Sequence, residues 1–350
     1  MQGYRAPRWL PGGNLQTIWA ARAARRHLGP APHFERERWD TPDGDFIDVD
    51  HLAPPPAAAQ RDFVPGAVAR QLVPGVAARH LVPGAAQRHL VLFHGLEGSR
   101  QSQYAQAFAS VAQSRGWAYS VPHFRGCSGE LNRAPRAYHS GDFEEIGWIL
   151  QRLRLLHGAP LLVVGISLGG NALLRWAQEA GDGAAATAAA VAAVCSPVDL
   201  AASGAAIDRG WNWLVYSRLF LATMKPKALA KWQQHPGLFD RERLAAARTL
   251  YEFDNVFTAP LHGFRDTPDY WQRASAKPQL ARIRIPALVL NAGNDPFVPA
   301  ASLPGPSQVG SFVTLWRPAQ GGHVGFPRGA FPADVLAMPQ AVADWLAMHG

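Results

Sequence analysis

From residue 90 onward, short apolar runs alternate with segments of helical periodicity. Residues 90–93 (Leu-Val-Leu-Phe) predict a buried strand. Residues 101–115 place Tyr104, Phe108 and Val111 at helical spacing and stop at Gly116. Residues 117–121 predict a second strand. Ser140 is positioned to cap a helix whose first turn holds Asp142, Glu144 and Glu145, where the helix dipole favours negative charge. Phe143, Ile146, Leu150 and Leu153 form its buried stripe, and Gly158 and Pro160 end it. Further strands are predicted at 161–164, 191–195, 285–291 and 312–316, with helices at 171–180 and 335–348. Strand–helix alternation of this kind predicts an α/β fold: a mostly parallel sheet with helices on both faces.

Before and between these elements the rhythm changes. The first thirty residues hold an apolar and aromatic stretch (Trp9, Leu10, Leu15, Ile18, Trp19). Residues 33–52 predict a hairpin turned at Pro42-Asp43-Gly44, with Phe34, Arg36 and Arg38 on one face of its first arm. After APPPAAAQ (53–60), a nonapeptide repeats three times: FVPGAVARQ, LVPGVAARH, LVPGAAQRH. Units this short, each with Pro-Gly, cannot bury a face as solenoid repeats do. They are expected to be an exposed insertion leading into the strand at 90. From 201 to 280 the alternation is lost, and Trp and Phe are frequent, as in a cap inserted above the sheet. The expected organisation is one domain over 1–350. It comprises an N-terminal segment and hairpin (1–60), a repeat insertion (61–89) and a cap insertion (201–280).

Composition narrows the function little. The chain has 350 residues, 48% of them hydrophobic, and a formal net charge of +8. Thirty of the 34 basic residues are arginines, but they are scattered and form no nucleic-acid motif. No nucleic-acid partner is expected. The arginines and aromatic insertion leave peripheral membrane contact open, though no amphipathic anchor is clear. No run approaches the roughly 18 apolar residues of a membrane span, and the N-terminus has no apolar h-region. Cys127 and Cys195 make no disulfide framework, which fits a reducing, cytoplasmic setting.

The chemistry concentrates at predicted strand ends, where open α/β sheets place reactive groups. LLVVGISLGGN carries G-x-S-x-G between a strand and a helix. Glycines two residues either side of a serine allow a tight turn that lifts the hydroxyl above the sheet, so Ser167 is the candidate nucleophile. With 33 glycines in the chain the bare pattern is weak, and its strand–turn–helix context carries the weight. Asp295 and His323 follow the last two strands, in the order Ser, acid, His expected of an α/β-hydrolase. His323 would take the serine proton, and Asp295 would orient its ring. Asp199, in CSPVDL, is the rival acid. The loop LFHGLEGS would supply Leu96 N–H, beside Leu168 N–H, as an oxyanion hole. His94 precedes the serine and reads as loop structure. Cys127, in FRGCSGE, has no basic partner in the sequence and is not expected to be a nucleophile.

Several longer stretches together resemble one family: APRWLPGGNLQTIW, HGLEGS, FRGCSGE, YHSGDFEEI, GISLGGNALLRW, SPVDL, FDNVFTAPLHGF, NAGNDPFVP and GGHVGF. They resemble the YheT-like branch of α/β-hydrolases. The resemblance implies Ser167, Asp295 and His323 as the triad of a serine esterase acting on small acyl esters of short to medium chain. It implies no metal and no organic cofactor. The same triad would serve an alcohol O-acyltransferase if an alcohol replaced water. A non-catalytic hydrolase-like binding protein is the remaining alternative. In the cap, Trp211, Trp213, Phe220, Phe253, Phe257, Phe264 and Trp271 are candidates to line an acyl pocket. Packing against the core is the commoner fate of any one of them. Oligomeric state is not set by the sequence.

Overall fold

A computed structural model describes residues 1, 3–27, 29–53 and 88–350. Its centre is an eight-stranded sheet of order β1-β2-β4-β3-β5-β6-β7-β8. The strands are β1 (Phe34–Asp40), β2 (Phe46–Leu52), β3 (His89–Phe93), β4 (Ala118–Pro122), β5 (Leu161–Ile166), β6 (Ala188–Val194), β7 (Ala287–Leu290) and β8 (Val313–Trp316). From β4 to β8 every pairing is parallel. β1 and β2 form an antiparallel hairpin, which joins the sheet antiparallel to β4.

The hairpin register explains its polar face. Arg36 lies opposite Asp50 and Arg38 opposite Asp48. Each arginine donates two hydrogen bonds to its aspartate, at 2.7–2.9 Å. Both aspartates are buried, where an unpaired charge would be costly, and each has further partners: Asp50 also meets Arg100 at 3.4 Å and His123 at 2.5 Å, and Asp48 meets Arg36 at 3.9 Å.

The central strands are apolar on both faces because both are covered. On one face lie α3 (Phe143–His157) and α4 (Leu168–Ala180), with Ile146, Leu150, Leu173 and Leu174 packed against Val91, Val163 and Val191. On the other lie α2 (Gln103–Ser114) and the C-terminal α8 (Ala337–Ala347), with Phe108, Val342 and Leu346 against Leu90, Leu162 and Leu288.

The expected strands and helices are present, with shifted ends. The helix expected from 171 begins at Leu168, directly after the serine. Ser140 does not cap α3, because Asp142 occupies that position. Ser140 instead receives Asn171 Nδ2 on its carbonyl at 2.8 Å and gives its N–H to Tyr270 Oη at 2.9 Å, tying the sheet layer to the cap. The apolar N-terminal stretch forms α1 (Gly12–Arg22), a helix that its hydrophobic pattern does not predict.

Between β6 and β7 the chain is a series of helices, among them α5 (Leu200–Ile207), α6 (Arg218–Gln234) and α7 (Thr267–Ala274). Two π-helical turns, Trp213–Ser217 and Asp254–Thr258, interrupt it. All of the nonapeptide repeat except Arg88 and His89 lies outside the described residues, and His89, expected to close the insertion at 61–89, is instead the first residue of β3. Among the described residues no helix is long and apolar enough to cross a membrane.

Candidate active site

β5 runs straight into Ser167, whose backbone is forced to φ +52°. A side-chain-bearing residue there stores strain of order 1 kcal/mol or more. The turn persists because it is bonded on both sides. Ser167 N–H donates to Val194 O at 2.9 Å, and Ser167 O accepts from Gly170 N at 3.0 Å and Asn171 N at 3.2 Å. The flanking glycines are steric necessities. A Cβ on Gly165 would collide with the Gly169–Gly170 backbone, and one on Gly169 would strike the carbonyls of Phe93 and His94.

The hydroxyl so presented meets the residues expected of it. His323 Nε2 lies 3.0 Å from Ser167 Oγ. His323 Nδ1 lies 2.9 Å from Asp295 Oδ2 and 3.1 Å from Oδ1. The Asp295 carboxylate is wholly shielded from solvent and also accepts the N–H groups of Phe297 (2.8 Å) and Val298 (3.2 Å). The Phe297 ring packs on the imidazole, with centroids 4.3 Å apart.

Asp199, the rival acid, is engaged elsewhere. It caps α5 through Ala202 N and pairs with Lys277 at 3.4 Å. His94 is fully buried and structural. Its Nδ1–H donates to Gly95 O at 2.8 Å, and its Nε2 accepts Phe124 N–H at 3.1 Å. Burial lowers its pKa to about 3, so the ring stays neutral.

The loop after β3 is pinned on both sides of Leu96. Gly95 N–H donates to Tyr104 Oη at 3.0 Å, and Glu97 N–H to Tyr138 Oη at 3.0 Å. Between them, Leu96 N–H has no acceptor among the described residues, and neither does Leu168 N–H. Both leucines line the same cavity as Ser167 and His323.

Sequence reading missed what holds the histidine loop. His323 N–H donates to Thr17 Oγ1 at 2.8 Å, and Gly321 N–H to Gln16 Oε1 at 2.9 Å, both from α1. Thr17 in turn donates to Gly13 O at 2.7 Å. The available signal was the adjacent polar pair Gln16-Thr17 inside an otherwise apolar segment.

Two cysteines lie close by. Cys195 Sγ accepts Val324 N–H at 3.3 Å. Ligand-type atoms of Cys195, Asp295 and His323 fall within 4.8 Å of one another, the spacing of a metal site. Burial, with Asp295 alongside, pushes the Cys195 thiol far up, so it sits as a neutral group rather than a thiolate ligand. Burial likewise pushes Cys127 up to about 12. The sequence suggested no basic partner for Cys127, yet Lys227 Nζ lies 3.8 Å from its sulfur. Desolvation outweighs that cation.

Above Ser167 opens a cavity. Of the aromatic candidates, Phe220, Phe253, Phe257 and Trp271 line it. Trp211 is exposed, Trp213 donates its indole N–H to Arg248 O, and Phe264 packs on His139 and Tyr270.

A serine on a strained strand-to-helix turn, over a mostly parallel sheet covered on both faces, is the architecture of an α/β-hydrolase. A family profile described as alpha/beta hydrolase fold matches residues 88–330. YheT of Escherichia coli, named provisionally as an esterase, is 35% identical over 339 residues, 96% of this chain and 90% of that one. Mouse phospholipase ABHD3 is 30% identical over 262 residues, 73% of this chain but only 62% of the mouse protein. Medium-chain fatty acid ethyl ester synthase/esterase 2 of Saccharomyces cerevisiae is 29% identical over 273 residues, 67% of this chain and 57% of its own length. Among solved structures, a puromycin-hydrolyzing peptidase of Mycobacterium tuberculosis shares the fold at TM-score 0.51 and 18% identity, over 91% of this chain and 39% of that one. The chain belongs to the YheT-like branch of the α/β-hydrolases.

Proposed function

We propose that this protein is a serine esterase that cleaves carboxylic esters of short to medium acyl chain through an acyl-enzyme on Ser167. Ester hydrolysis in general follows from its relatives, which are named as esterases and phospholipases. The finer reading rests on one observation: the Ser167–His323–Asp295 hydrogen-bonded chain, set at the foot of a largely apolar cavity.

In this reading His323 Nε2 removes the serine proton as Oγ attacks the ester carbonyl. Asp295 fixes the ring with Nδ1 protonated and offsets the charge the ring acquires. The oxyanion rests on Leu96 and Leu168 N–H, and deleting one such donor costs about 3–4 kcal/mol in other hydrolases. His323 then protonates the leaving alcohol, and water, activated by the same imidazole, releases the acid.

The test is hydrolysis of p-nitrophenyl esters of graded chain length. Ser167→Ala is expected to lose about 10⁴-fold or more in kcat while still binding substrate. Activity equal to the wild type would sink the assignment. A fluorophosphonate should label Ser167 alone, and labelling at Cys127 would contradict it. The ethyl ester synthase/esterase relative supports a second reading, acyl transfer to an alcohol from the same intermediate. Product analysis with ethanol present measures that partition.

A further inference from the structure

One ion pair joins the cap to the loop that carries Leu96. Lys227, on α6, places Nζ 2.9 Å from Glu97 Oε2 and 3.1 Å from Oε1. Tyr138 Oη donates to Glu97 Oε1 at 3.0 Å while accepting the Glu97 N–H at 3.0 Å. Glu97 therefore has both its backbone and its carboxylate held. It needs holding, because its φ is +56°, a conformation that costs a side-chain-bearing residue of order 1 kcal/mol or more. The Glu97 side chain is only 11% exposed, so its charge is poorly served by water and leans on its partners.

The helix that carries Lys227 is anchored nearby. One turn further along α6, the buried Lys231 ammonium is anchored to the carbonyls of Asn132 and Ala134 and to Gln234 Oε1. Met224, one turn before Lys227, and Ala228, beside it, line the cavity. Substrate packed against this face of α6 thus bears on the turn that grips Glu97.

We propose that Lys227 and Glu97 form a positioning clamp through which the cap sets the Leu96 N–H as an oxyanion donor. The clamp rests on the serine-esterase reading above. Releasing the carboxylate lets Glu97 relax toward negative φ and turns the adjoining peptides, so Leu96 N–H leaves the place where the oxyanion forms. Neither residue need touch the reacting atoms. Its loss weakens binding of the transition state and leaves ground-state binding nearly intact.

The experiment compares wild type, Lys227→Met, Glu97→Gln, the double variant and Ser167→Ala on p-nitrophenyl butyrate. Each single variant is expected to lower kcat about tenfold, less than outright deletion of a donor, with KM within about threefold. Affinity for a trifluoromethyl ketone that adds to Ser167 should fall by a similar factor. The double variant should be no worse than the poorer single, because both break one contact. Lys227→Arg, which keeps the charge, should recover most of kcat even if Lys227→Met folds less stably. Wild-type kcat in both singles, a loss confined to KM, multiplying losses, or no recovery with Lys227→Arg would each overturn the clamp. If Ser167→Ala hydrolyses as fast as wild type, the serine reading fails first and the clamp with it. If Ser167→Ala is inactive while Lys227→Met is not impaired, the clamp alone fails.

Discussion

Asp254, half-buried, puts a carboxylate into the wall of the cavity. Burial raises its pKa to about 6, against the hydrogen bonds it accepts from Thr258 Oγ1 (2.7 Å) and Trp271 Nε1 (2.9 Å). The sign of the pH effect follows. The folded state holds this proton more tightly than the unfolded chain does. Its contribution to stability is full below about pH 4 and is lost as pH rises through about 6. Asp254→Asn keeps an acceptor and removes the titration. Relative to that variant, the wild type should therefore lose on the order of 2–3 kcal/mol between about pH 4 and pH 7, and no more above. Urea denaturation of both proteins across that range measures the difference. A difference that stays constant with pH would mean that Asp254 titrates as an exposed carboxylate does.

At the scale of elements, α1 secures the histidine loop, and its contribution can be isolated at Thr17. Thr17→Val keeps the shape of the side chain and leaves the His323 N–H without its buried acceptor. The expected cost is about 1–3 kcal/mol of stability. About tenfold in kcat should go with it, since the base is then poorly placed, and Thr17→Ser should restore both. Denaturation and steady-state rates on one ester check this together, and an unchanged kcat would show that the loop needs no such tie.

The same element marks where the sequence was hard to read. Strands β3 to β7 and helices α2 to α4 were legible because each buries a simple apolar run or stripe, and β8 because its partly buried Val313, Leu315 and Trp316 pack against the core. The order Ser167, Asp295, His323 was legible because each follows a strand. The geometry also separates Asp295 from Asp199, which the sequence could only rank. Helix α1 was not legible, because its buried residues are Gln16, Thr17 and Ala20 rather than an apolar stripe. The cap was legible as an insertion over 201–280, but its individual helices were not. Its helices bury one side against each other and offer another to the cavity, so no single stripe stands out. The π-helical turns at Trp213–Ser217 and Asp254–Thr258, and Pro226 inside α6, further break the 3.6-residue period.

For the molecule as a whole, the question is whether the nonapeptide repeat belongs to the hydrolase. The chain enters that segment after β2 and leaves it into β3. In the sheet both strands flank β4, and His51 and Val91 both lie opposite Ser120. The end of β2 and the start of β3 therefore lie at the same end of the sheet. They are two strand spacings apart, roughly 10 Å. Deleting residues 63–80 would leave 54–62 and 81–87, sixteen residues, to make that connection. Sixteen residues reach up to about 50 Å when extended, several times the need. Loop-closure entropy favours the shorter link by only about 0.7 kcal/mol, so stability should change little. The packing on both faces of the sheet, the tyrosine-pinned loop at Leu96 and the Ser167–His323–Asp295 chain are all assembled from residues outside the deletion. We therefore propose that the repeat is an insertion, and that the deletion variant folds with a melting temperature within about 2 °C of wild type. Its kcat/KM on p-nitrophenyl butyrate should stay within about twofold. A variant that expresses but does not fold would make the repeat part of the structure. A folded variant with normal kcat and a raised KM would instead make the repeat part of the substrate's path to Ser167.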